Sequence, residues 1–176
     1  GFITEGEYEG YYCVGCEEYK QPDDLVPGTG EFHGQLVCSI HGRPVEVLKE
    51  KNYFFALGSF QQHLLDLYES QPDFIQPNSL RNEIVSFVKR GLDDLSISRQ
   101  SFDWGVRIPW DDTHVTYVWF DALLNYISAI GWGDDDANFA RRWPAVQLVG
   151  KDIARFHAVI WPAMLMAAGL QPPARV

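Results

Sequence analysis

The residues most suited to chemistry lie near the end of the chain, where glycine and aspartate interrupt an apolar run. Gly150 and Asp152 follow a short apolar segment, and Phe156 and His157 come on the first turns of the helix predicted after it. In open parallel sheets, ligands bind beyond the carboxyl ends of the strands, where helix N-termini point. This junction therefore predicts a site for a nucleotide or a small zwitterion.

A second group of residues has the spacing of metal ligands. Cys13 and Cys16 form a CxxC pair, and Cys38 and His41 form a CxxH pair after a loop. Thiolates and a neutral imidazole are the ligands that tetrahedral zinc prefers, and four protein ligands are typical of a structural site. The pattern uses all three cysteines and predicts one zinc ion.

Other interpretations of these residues stay open at this point. Cys13 and Cys16 would otherwise be buried thiols, with His41 on the surface. His33 lies between the two pairs and could compete as fourth ligand, although its spacing from Cys38 fits no zinc knuckle. Because such a loop-rich segment has little core, we expect a metal to supply much of its folding energy.

Aromatic residues in two segments of the chain, one around Trp119 and one around Phe156, suggest a pocket for an amino-acid side chain. Trp119, Ala122 and Tyr126 fall around a predicted strand end and the first turns of the next helix, and Phe156 and His157 could form the opposite wall. An aromatic slot with few polar groups suits a flexible thioether, because sulfur packs well against ring edges. The alternative is that these aromatic side chains belong to the core.

The elements that must position these residues follow from hydrophobic periodicity. Residues 1–55 are turn-rich and strand-like, and Val45–Phe55 is a predicted strand. Ser59 is a candidate N-cap for a helix over Phe60–Ser70. A second helix is predicted over Asn78–Arg90, stopped by Gly91.

The rest of the chain alternates strands with helices. We predict these elements, in order: strand, turn and strand over Leu95–Ile108, strand Val115–Phe120, helix Asp121–Ile130, helix Asp134–Arg142, strand Val146–Val149 and helix Asp152–Ala168 kinked at Pro162. Such alternation in the last 60 residues or so predicts an α/β fold with a parallel sheet and crossover helices.

Composition narrows the class of protein. The chain has 176 residues, is 46% hydrophobic and carries a net charge of −10, which predicts a globular protein and argues against charge-driven nucleic-acid binding. A DNA-binding zinc finger is excluded on the same ground. No apolar stretch is long enough for a membrane span, and the acidic N-terminus is unlike a signal peptide. Cysteines without an export signal favour a reducing compartment, so we expect a cytoplasmic protein.

Several motifs stand out along the chain: Tyr8–Cys13 (YEGYYC), Cys38–Glu46 (CSIHGRPVE), Asn52–Phe55 (NYFF), Leu95–Arg99 with Ser101–Gly105 (LSISR, SFDWG), Tyr117–Ala122 (YVWFDA) and Gly150–His157 (GKDIARFH). Together they resemble one enzyme family, the methionyl-tRNA synthetases. The resemblance is to the bacterial subgroup with a single zinc. It implies the second half of a class I Rossmann-type nucleotide-binding fold over residues 56–176, with an inserted zinc-binding connective-peptide domain over residues 1–55.

The resemblance also implies a reaction and the residues that serve it. Such ligases activate L-methionine with ATP and Mg²⁺ to methionyl-adenylate and transfer the methionyl group from the adenylate to tRNA(Met). The implied methionine-binding residues are Trp119, Ala122, Tyr126, Ile153, Phe156 and His157, with His157 near the sulfur. Gly150 and Asp152 would hold the ribose, Arg99 would be the catalytic-site arginine, and Cys13, Cys16, Cys38 and His41 would hold the zinc.

Three of these assignments have alternatives or departures. Asp152 could be a plain N-cap, and Arg99 could form a structural salt bridge with Asp93 or Asp94. Leu123 stands where family members often have proline. Leucyl-, valyl- and isoleucyl-type relatives tend to read WCISRQ, whereas this chain has DLSISRQ.

Two family signatures are absent from the sequence. The HIGH motif, expected upstream of the zinc insertion, and the KMSKS-type loop, expected downstream, do not occur. We therefore expect an internal part of a ligase that is inactive alone and meets tRNA mainly through other parts of the protein. The alternative is a non-catalytic, zinc-bearing paralogue that binds tRNA or a protein partner.

Overall fold

The chain folds into two compact units. The computed structural model describes residues 1–16, 18–20, 22–100 and 103–176, so Ser101 and Phe102 of the SFDWG motif lie outside the described residues. The smaller unit is Glu5–Asn52, and the larger one combines Gly1–Thr4 with Tyr53–Val176. Strands β1 (Ile3–Cys13) and β5 (Glu46–Phe55) each contain a boundary, so they carry the chain into and out of the smaller unit.

The smaller unit is made of short strands and turns. Besides parts of β1 and β5, it contains β2 (Glu18–Lys20), β3 (Leu25–Pro27), β4 (Leu36–Cys38) and two 3₁₀ turns, Pro22–Asp24 and Gly30–Phe32. β1 pairs antiparallel with β2, and β3 with β4, with Leu25 opposite Cys38. Among its described residues, the buried apolar side chains are Cys13, Val37 and Cys38. The unit therefore has almost no hydrophobic core of its own.

Two amphipathic helices open the larger unit. Helix α1 (Gln61–Ser70) follows a 3₁₀ turn, Leu57–Phe60, and helix α2 (Asn78–Lys89) ends shortly before Gly91, which has a φ of +112°. The predicted N-cap is wrong, because Ser59 lies inside the 3₁₀ turn and Phe60 occupies the cap position without a side-chain hydrogen bond.

A small antiparallel sheet follows the helices. β6 (Leu95–Ser96) pairs with the end of β5, and β7 (Ser98–Arg99), β8 (Arg107–Ile108) and β9 (Asp111–Thr116) form a sheet of order β7-β9-β8. The predicted strand over Val115–Phe120 is wrong in its second half. After Tyr117, the N–H groups of Phe120 and Asp121 turn back to the Tyr117 carbonyl and start a helix.

The next helices are shorter than predicted. Helix α3 (Val118–Ala122) and helix α4 (Asn125–Ser128) replace the single helix expected over Asp121–Ile130. The side-chain amide of Asn125 donates to the Ala122 carbonyl, and such local bonds compete with the helical ladder. Helix α5 (Asp136–Arg142) begins two residues later than predicted, because Asp135 caps it by accepting from the Asn138 N–H.

The last predicted helix consists of three turn types. A 3₁₀ turn (Lys151–Ile153), a π-helical turn (Phe156–Ile160) and helix α6 (Trp161–Ala167) stand in place of one kinked helix. Pro162 lies in the first turn of α6, where a missing N–H is tolerated. The Ala158 carbonyl, four residues earlier, instead accepts a hydrogen bond from the buried Tyr68 hydroxyl at 2.7 Å.

The predicted parallel sheet is reduced to a single contact among the described residues. Val146 and Arg175 form one isolated parallel bridge, and the Gln147 N–H donates to the Arg175 carbonyl at 2.9 Å. No strand forms over 146–149, and Leu148 is 95% exposed. The strand prediction is therefore wrong for this segment, because pairing stops after a few residues and a ladder needs repeated partners.

The hydrophobic core lies in the larger unit. It is built from α1, α2, α6, the π-helical turn and the end of β5, with these fully buried members among others: Phe55, Leu64, Tyr68, Ile84, Val88, Leu123, Trp161 and Leu165. This core fixes the two segments that carry the predicted pocket. Within the described part of the chain, every helix is too short or too polar to cross a membrane.

Candidate functional site

The four predicted metal ligands converge in the smaller unit. Cys13 ends β1, Cys38 ends β4, and Cys16 and His41 lie in the tight turns that follow. Backbone hydrogen bonds close both turns, from the Cys16 N–H to the Cys13 carbonyl and from the Gly42 N–H to the Cys38 carbonyl. The four ligand atoms lie within 4.8 Å of one another, so the cluster could hold a metal ion.

One sulfur–sulfur distance in the cluster matches the value expected around a tetrahedral zinc ion. Cys16 Sγ is 3.7 Å from Cys38 Sγ, and His41 Nδ1 is 3.1, 3.8 and 4.0 Å from the sulfurs of Cys16, Cys13 and Cys38. Bonds of about 2.3 Å to sulfur in a tetrahedron set sulfur–sulfur distances of about 3.8 Å. Gly15 leaves room for the imidazole, because a Cβ there would lie 3.0 Å from His41 Cγ.

Electrostatics around the cluster favour a thiolate at Cys38. Burial raises the pKa of this thiol, but hydrogen bonds from the backbone N–H and side chain of His41 and the N–H of Ile40 outweigh burial and lower it to about 6. A hydrogen bond from Lys20 lowers the pKa of Cys16, yet desolvation and the neighbouring thiols leave it raised. A cation at the centre would supply the charge that stabilises all three thiolates together.

Four of the residues predicted to line an aromatic slot meet in the larger unit. Trp119 stacks on Phe156 with ring centroids 4.1 Å apart and an interplanar angle of 16°. The His157 ring meets Trp119 and Tyr126 edge-on, at 6.5 and 5.5 Å. The structure therefore brings α3, α4 and the π-helical turn together through four of the predicted residues.

Hydrogen bonds set the tautomer of His157. Its Nδ1 lies 2.9 Å from the Ile153 carbonyl, which can only accept, so Nδ1 carries the proton. Its Nε2 lies 2.8 Å from the Tyr126 hydroxyl, which then donates to it. Both ring nitrogens thus have partners inside the protein, and neither has a proton left for a ligand.

The other two predicted slot residues, Ile153 and Ala122, take part through their backbone carbonyl groups and their location in the chain. Ile153 ends the 3₁₀ turn and holds His157 through its carbonyl. Ala122 lies three residues after Trp119 on α3, and its carbonyl accepts from the Asn125 side chain. π-helical turns are rare and occur often at functional sites, and this one carries both Phe156 and His157.

Trp161 is a neighbour of the slot that the sequence analysis missed. Its ring centroid lies 6.3 Å from that of Tyr126 and 6.2 Å from that of Trp143, and its side chain is fully buried. Its indole Nε1 has no hydrogen-bond partner among the described residues. The available signal was spacing, because Trp161 follows His157 by four residues.

Gly150 and Asp152 are in direct contact at the predicted nucleotide site. A Cβ on Gly150 would lie 2.6 Å from Asp152 Oδ1, so only glycine leaves this carboxylate in place. Both residues are exposed. The N-cap alternative for Asp152 is wrong, because Asp152 lies inside the turn, whose cap position is Gly150 without a side-chain bond.

Arg99 is held by its own strand and by a ring. Its Nη1 donates to Ser96 Oγ at 3.0 Å and to the Ser98 carbonyl at 2.6 Å, and its Cζ lies 4.8 Å from the Tyr117 ring centroid. Asp94, one alternative partner, accepts from the Gly58 N–H at 3.3 Å. The guanidinium is half-buried and close to neighbours that restrict its movement.

Comparisons with known proteins find relatives that share most of this chain's sequence and fold. The chain is 59% identical, over all its length, to a methionine–tRNA ligase of Streptomyces coelicolor and 52% identical to one of Caldanaerobacter subterraneus, covering 33% and 27% of those proteins. It superposes on the Mycobacterium tuberculosis methionyl-tRNA synthetase bound by methionyl-adenylate with a TM-score of 0.86 and 46% identity, over 98% of this chain and 34% of that one. The chain therefore spans about a third or less of these relatives.

A match to a family model identifies the protein family to which the chain belongs. A family model described as "tRNA synthetases class I (M)" matches residues 33–176, most of the chain. Together with the superposition, it confirms the predicted mixed α/β class and a class I synthetase fold. The chain belongs to the class I (M) tRNA synthetase family.

Proposed function

We propose that the polypeptide carrying this chain is a methionine–tRNA ligase. It joins the carboxylate of L-methionine to the α-phosphate of ATP, with release of pyrophosphate, and then transfers the methionyl group from this methionyl-adenylate to tRNA(Met), with release of AMP. The observation that carries the proposal is the stacked slot of Trp119, Phe156, His157 and Tyr126. The superposed Mycobacterium tuberculosis enzyme holds methionyl-adenylate, which supports the same ligand here. The paralogue alternative is not favoured, because the slot residues are present and in mutual contact.

The chemistry of the slot suits an uncharged thioether. Two stacked rings offer faces and edges against which sulfur packs favourably. Tyr126 and Ile153 occupy both nitrogens of His157, so the slot presents no free imidazole proton. A ligand side chain with a hydroxyl or a charge would therefore gain no hydrogen bond from this ring. In this proposal Ala122, the small residue on the same helix as Trp119, leaves space for the methionine side chain.

The nucleotide would lie at the Gly150–Asp152 turn. The open backbone of Gly150 allows close approach of a sugar, and the carboxylate of Asp152 can accept from ribose hydroxyls. Gly150→Ala would push the flexible Asp152 carboxylate aside while leaving the fold intact. In a complete ligase that carries Gly150→Ala, we expect the KM for ATP to rise about as much as it does with Asp152→Asn. The melting temperature should stay almost unchanged.

Arg99 would stabilise phosphate charge as the adenylate forms. A fixed guanidinium placed where charge develops lowers the barrier more than one that must reorient. The ATP would arrive with Mg²⁺, which neutralises part of the same phosphate charge. No residue need act as nucleophile, because the methionine carboxylate attacks the α-phosphate and positioning suffices.

The metal would be a single structural zinc in the smaller unit. Its proposed ligands are Cys13, Cys16, Cys38 and His41, whose ligand atoms lie close enough together to hold a metal ion. We do not place tRNA phosphates on this unit: Glu5–Asn52 contains ten Asp and Glu against four Lys and Arg. Most tRNA contacts would then come from elsewhere in the polypeptide, and three thiols suit the reducing cytoplasm.

The test uses a hybrid ligase, defined as the Streptomyces coelicolor methionine–tRNA ligase with this chain in place of its matching segment. We expect methionine-dependent ATP–pyrophosphate exchange, with leucine, isoleucine and valine inactive. Trp119→Ala in the hybrid should raise the KM for methionine, whereas Trp104→Ala, at an 87%-exposed tryptophan, is the matched control. A hybrid that folds but activates leucine, or no amino acid, contradicts the proposal.

A further inference from the structure

Arg99 is restrained at one end of its guanidinium by hydrogen bonds. Its Nη1 donates to the Ser96 hydroxyl at the end of β6 and to the Ser98 carbonyl on its own strand, β7. Ser98 is fixed in turn, because its hydroxyl accepts from the Tyr53 N–H at 2.9 Å. Both of these bonds are made by one nitrogen of the guanidinium, so a contact on the face of the group is a restraint of a different kind.

The ring of Tyr117 provides that second restraint. Arg99 Cζ lies 4.8 Å from the ring centroid, within the range of a cation–π contact. Arginine stacks on aromatic faces through its flat, delocalised guanidinium, whereas a lysine ammonium would not be oriented this way. The ring therefore fixes which direction the plane of Arg99 faces.

The backbone holds Tyr117 in register with Arg99. Strands β7 and β9 pair with Ser98 opposite Thr116 and Arg99 opposite Val115. Beyond that ladder, the Tyr117 N–H donates to the Ile97 carbonyl at 2.8 Å. Tyr117 directly follows β9, and this hydrogen bond ties it to the segment before β7 at the point where helix α3 begins.

We propose that Tyr117 is a positioning residue that orients Arg99 for the adenylate-forming step. The inference rests on the proposed function, because it assumes that Arg99 acts on the phosphates. The aromatic face, not the hydroxyl, does the orienting. Losing the ring would leave Arg99 present and charged but without the aromatic contact that sets the direction of its plane.

A different effect of Tyr117 must be separated from this one. Tyr117 immediately precedes the helix that carries Trp119, so a substitution could also shift the methionine slot. Damage to the slot raises the KM for methionine, whereas misorientation of Arg99 lowers kcat with that KM unchanged. The two effects therefore differ in a single kinetic experiment.

The kinetic test compares Tyr117→Leu with Tyr117→Phe in the hybrid ligase, by ATP–pyrophosphate exchange. We expect Tyr117→Leu to lower kcat by about fivefold or more, the size of a cation–π contact, with the KM for methionine unchanged. Tyr117→Phe keeps the ring and should stay close to the parent. In an Arg99→Ala background, Tyr117→Leu should cause no further loss.

The outcomes separate the two proposals. If Arg99→Ala leaves exchange unchanged, the proposed role of Arg99 is wrong and the inference goes with it. If Arg99→Ala lowers exchange but Tyr117→Leu does not, or if the two losses multiply, only the inference is overturned. Equal loss in Tyr117→Phe and Tyr117→Leu also overturns it, because the hydroxyl would then matter.

A spectroscopic measurement on this chain covers the case of a poorly folded hybrid. A ring 4.8 Å from Arg99 Cζ shifts the side-chain NMR resonances of the arginine upfield. We expect that shift to persist in Tyr117→Phe and to vanish in Tyr117→Leu. If Tyr117→Leu retains the shift, the ring is not the partner of Arg99 and the inference fails.

Discussion

The metal cluster and the aromatic slot are positioned by opposite means. Four ligand side chains meet in a unit whose described residues bury almost no apolar surface besides the ligands themselves. The slot, in contrast, rests on the core of the larger unit, where the Tyr126 ring contacts the buried Trp161 and His157 is itself fully buried. The comparison shows that metal-ligating side chains can organise a region that lacks a hydrophobic core. The aromatic residues of the slot, in contrast, are positioned by the core that packs against them.

The largest expected effect is loss of the metal from the smaller unit. Structural zinc supplies about 10 kcal/mol or more to small domains at neutral pH, and Glu5–Asn52 has no core to compensate. We expect a chelator, or His41→Ala, to unfold this unit while the larger unit stays folded. Amide hydrogen exchange measured on both units checks this outcome.

His33→Ala provides the matched control for His41→Ala. His33 is exposed and lies outside the cluster, so its loss should leave metal affinity and exchange protection unchanged. If both units lost protection together on chelation, the contrast between the two regions would be wrong. If His33→Ala lowered metal affinity, His41 would not be the fourth ligand.

The next effect concerns the core beneath the slot. Trp161 is fully buried, and truncating a buried tryptophan to alanine costs about 3–5 kcal/mol. We expect Trp161→Ala to lower the free energy of unfolding by that amount in urea titrations. Trp119→Ala, at a half-buried position, should cost much less stability although it removes one wall of the slot.

Equal destabilisation by the two tryptophan variants would contradict this division. It would mean that Trp119 is part of the core, the alternative that the sequence left open. A smaller loss for Trp161→Ala than for Trp119→Ala would point the same way. In either case the methionine slot would have to be assigned to other residues.

The Tyr126 hydroxyl tests how much one hydrogen bond contributes to the stability of the slot and to methionine binding. Tyr126→Phe removes the donor to His157 Nε2 and leaves a buried acceptor unpaired, which costs about 1–3 kcal/mol. We expect a lower urea midpoint and weaker methionine binding. Tyr11→Phe, at an exposed tyrosine, should change neither quantity, and an unchanged Tyr126→Phe would mean that the hydrogen bond is not formed in solution.

The sequence predicted the metal cluster far better than the slot's local structure. Cys13, Cys16, Cys38 and His41 can be identified from spacing alone, because zinc restricts both residue type and turn length. The slot depended on helices whose breaks have non-local or side-chain causes. Ala158 gives up its carbonyl to Tyr68, 90 residues away along the chain, and periodicity carries no trace of that bond.

The parallel sheet failed for a related reason. The apolar run over 146–149 has strand composition, but within the described chain it meets only the segment around Arg175. A strand is defined by its partners, and composition alone does not supply them. Family resemblance, by contrast, led to the correct fold class because it does not depend on local pairing.

The smallest effect comes from a polar cluster in the larger unit that resembles neither region. Asp111 accepts from the Thr113 hydroxyl and N–H at 2.6 and 3.0 Å and from the Tyr53 hydroxyl at 3.1 Å, and it pairs with His114 Nδ1 at 2.7 Å. The Thr113 hydrogen bonds, followed by Tyr53 and His114, outweigh desolvation and lower the pKa of Asp111 to about 2.

The lowered pKa fixes the direction of the pH dependence. An unfolded aspartate has a pKa of about 4, so the folded state favours the ionised form, and its stabilisation is complete above about pH 4. It is lost as the pH falls toward 2. We expect urea midpoints of the parent chain to fall more steeply between pH 4 and pH 2 than those of Asp111→Asn. The exposed neighbour variant Asp112→Asn should follow the parent, and parallel curves for the parent and Asp111→Asn would show that turn hydrogen bonds do not hold this carboxylate ionised.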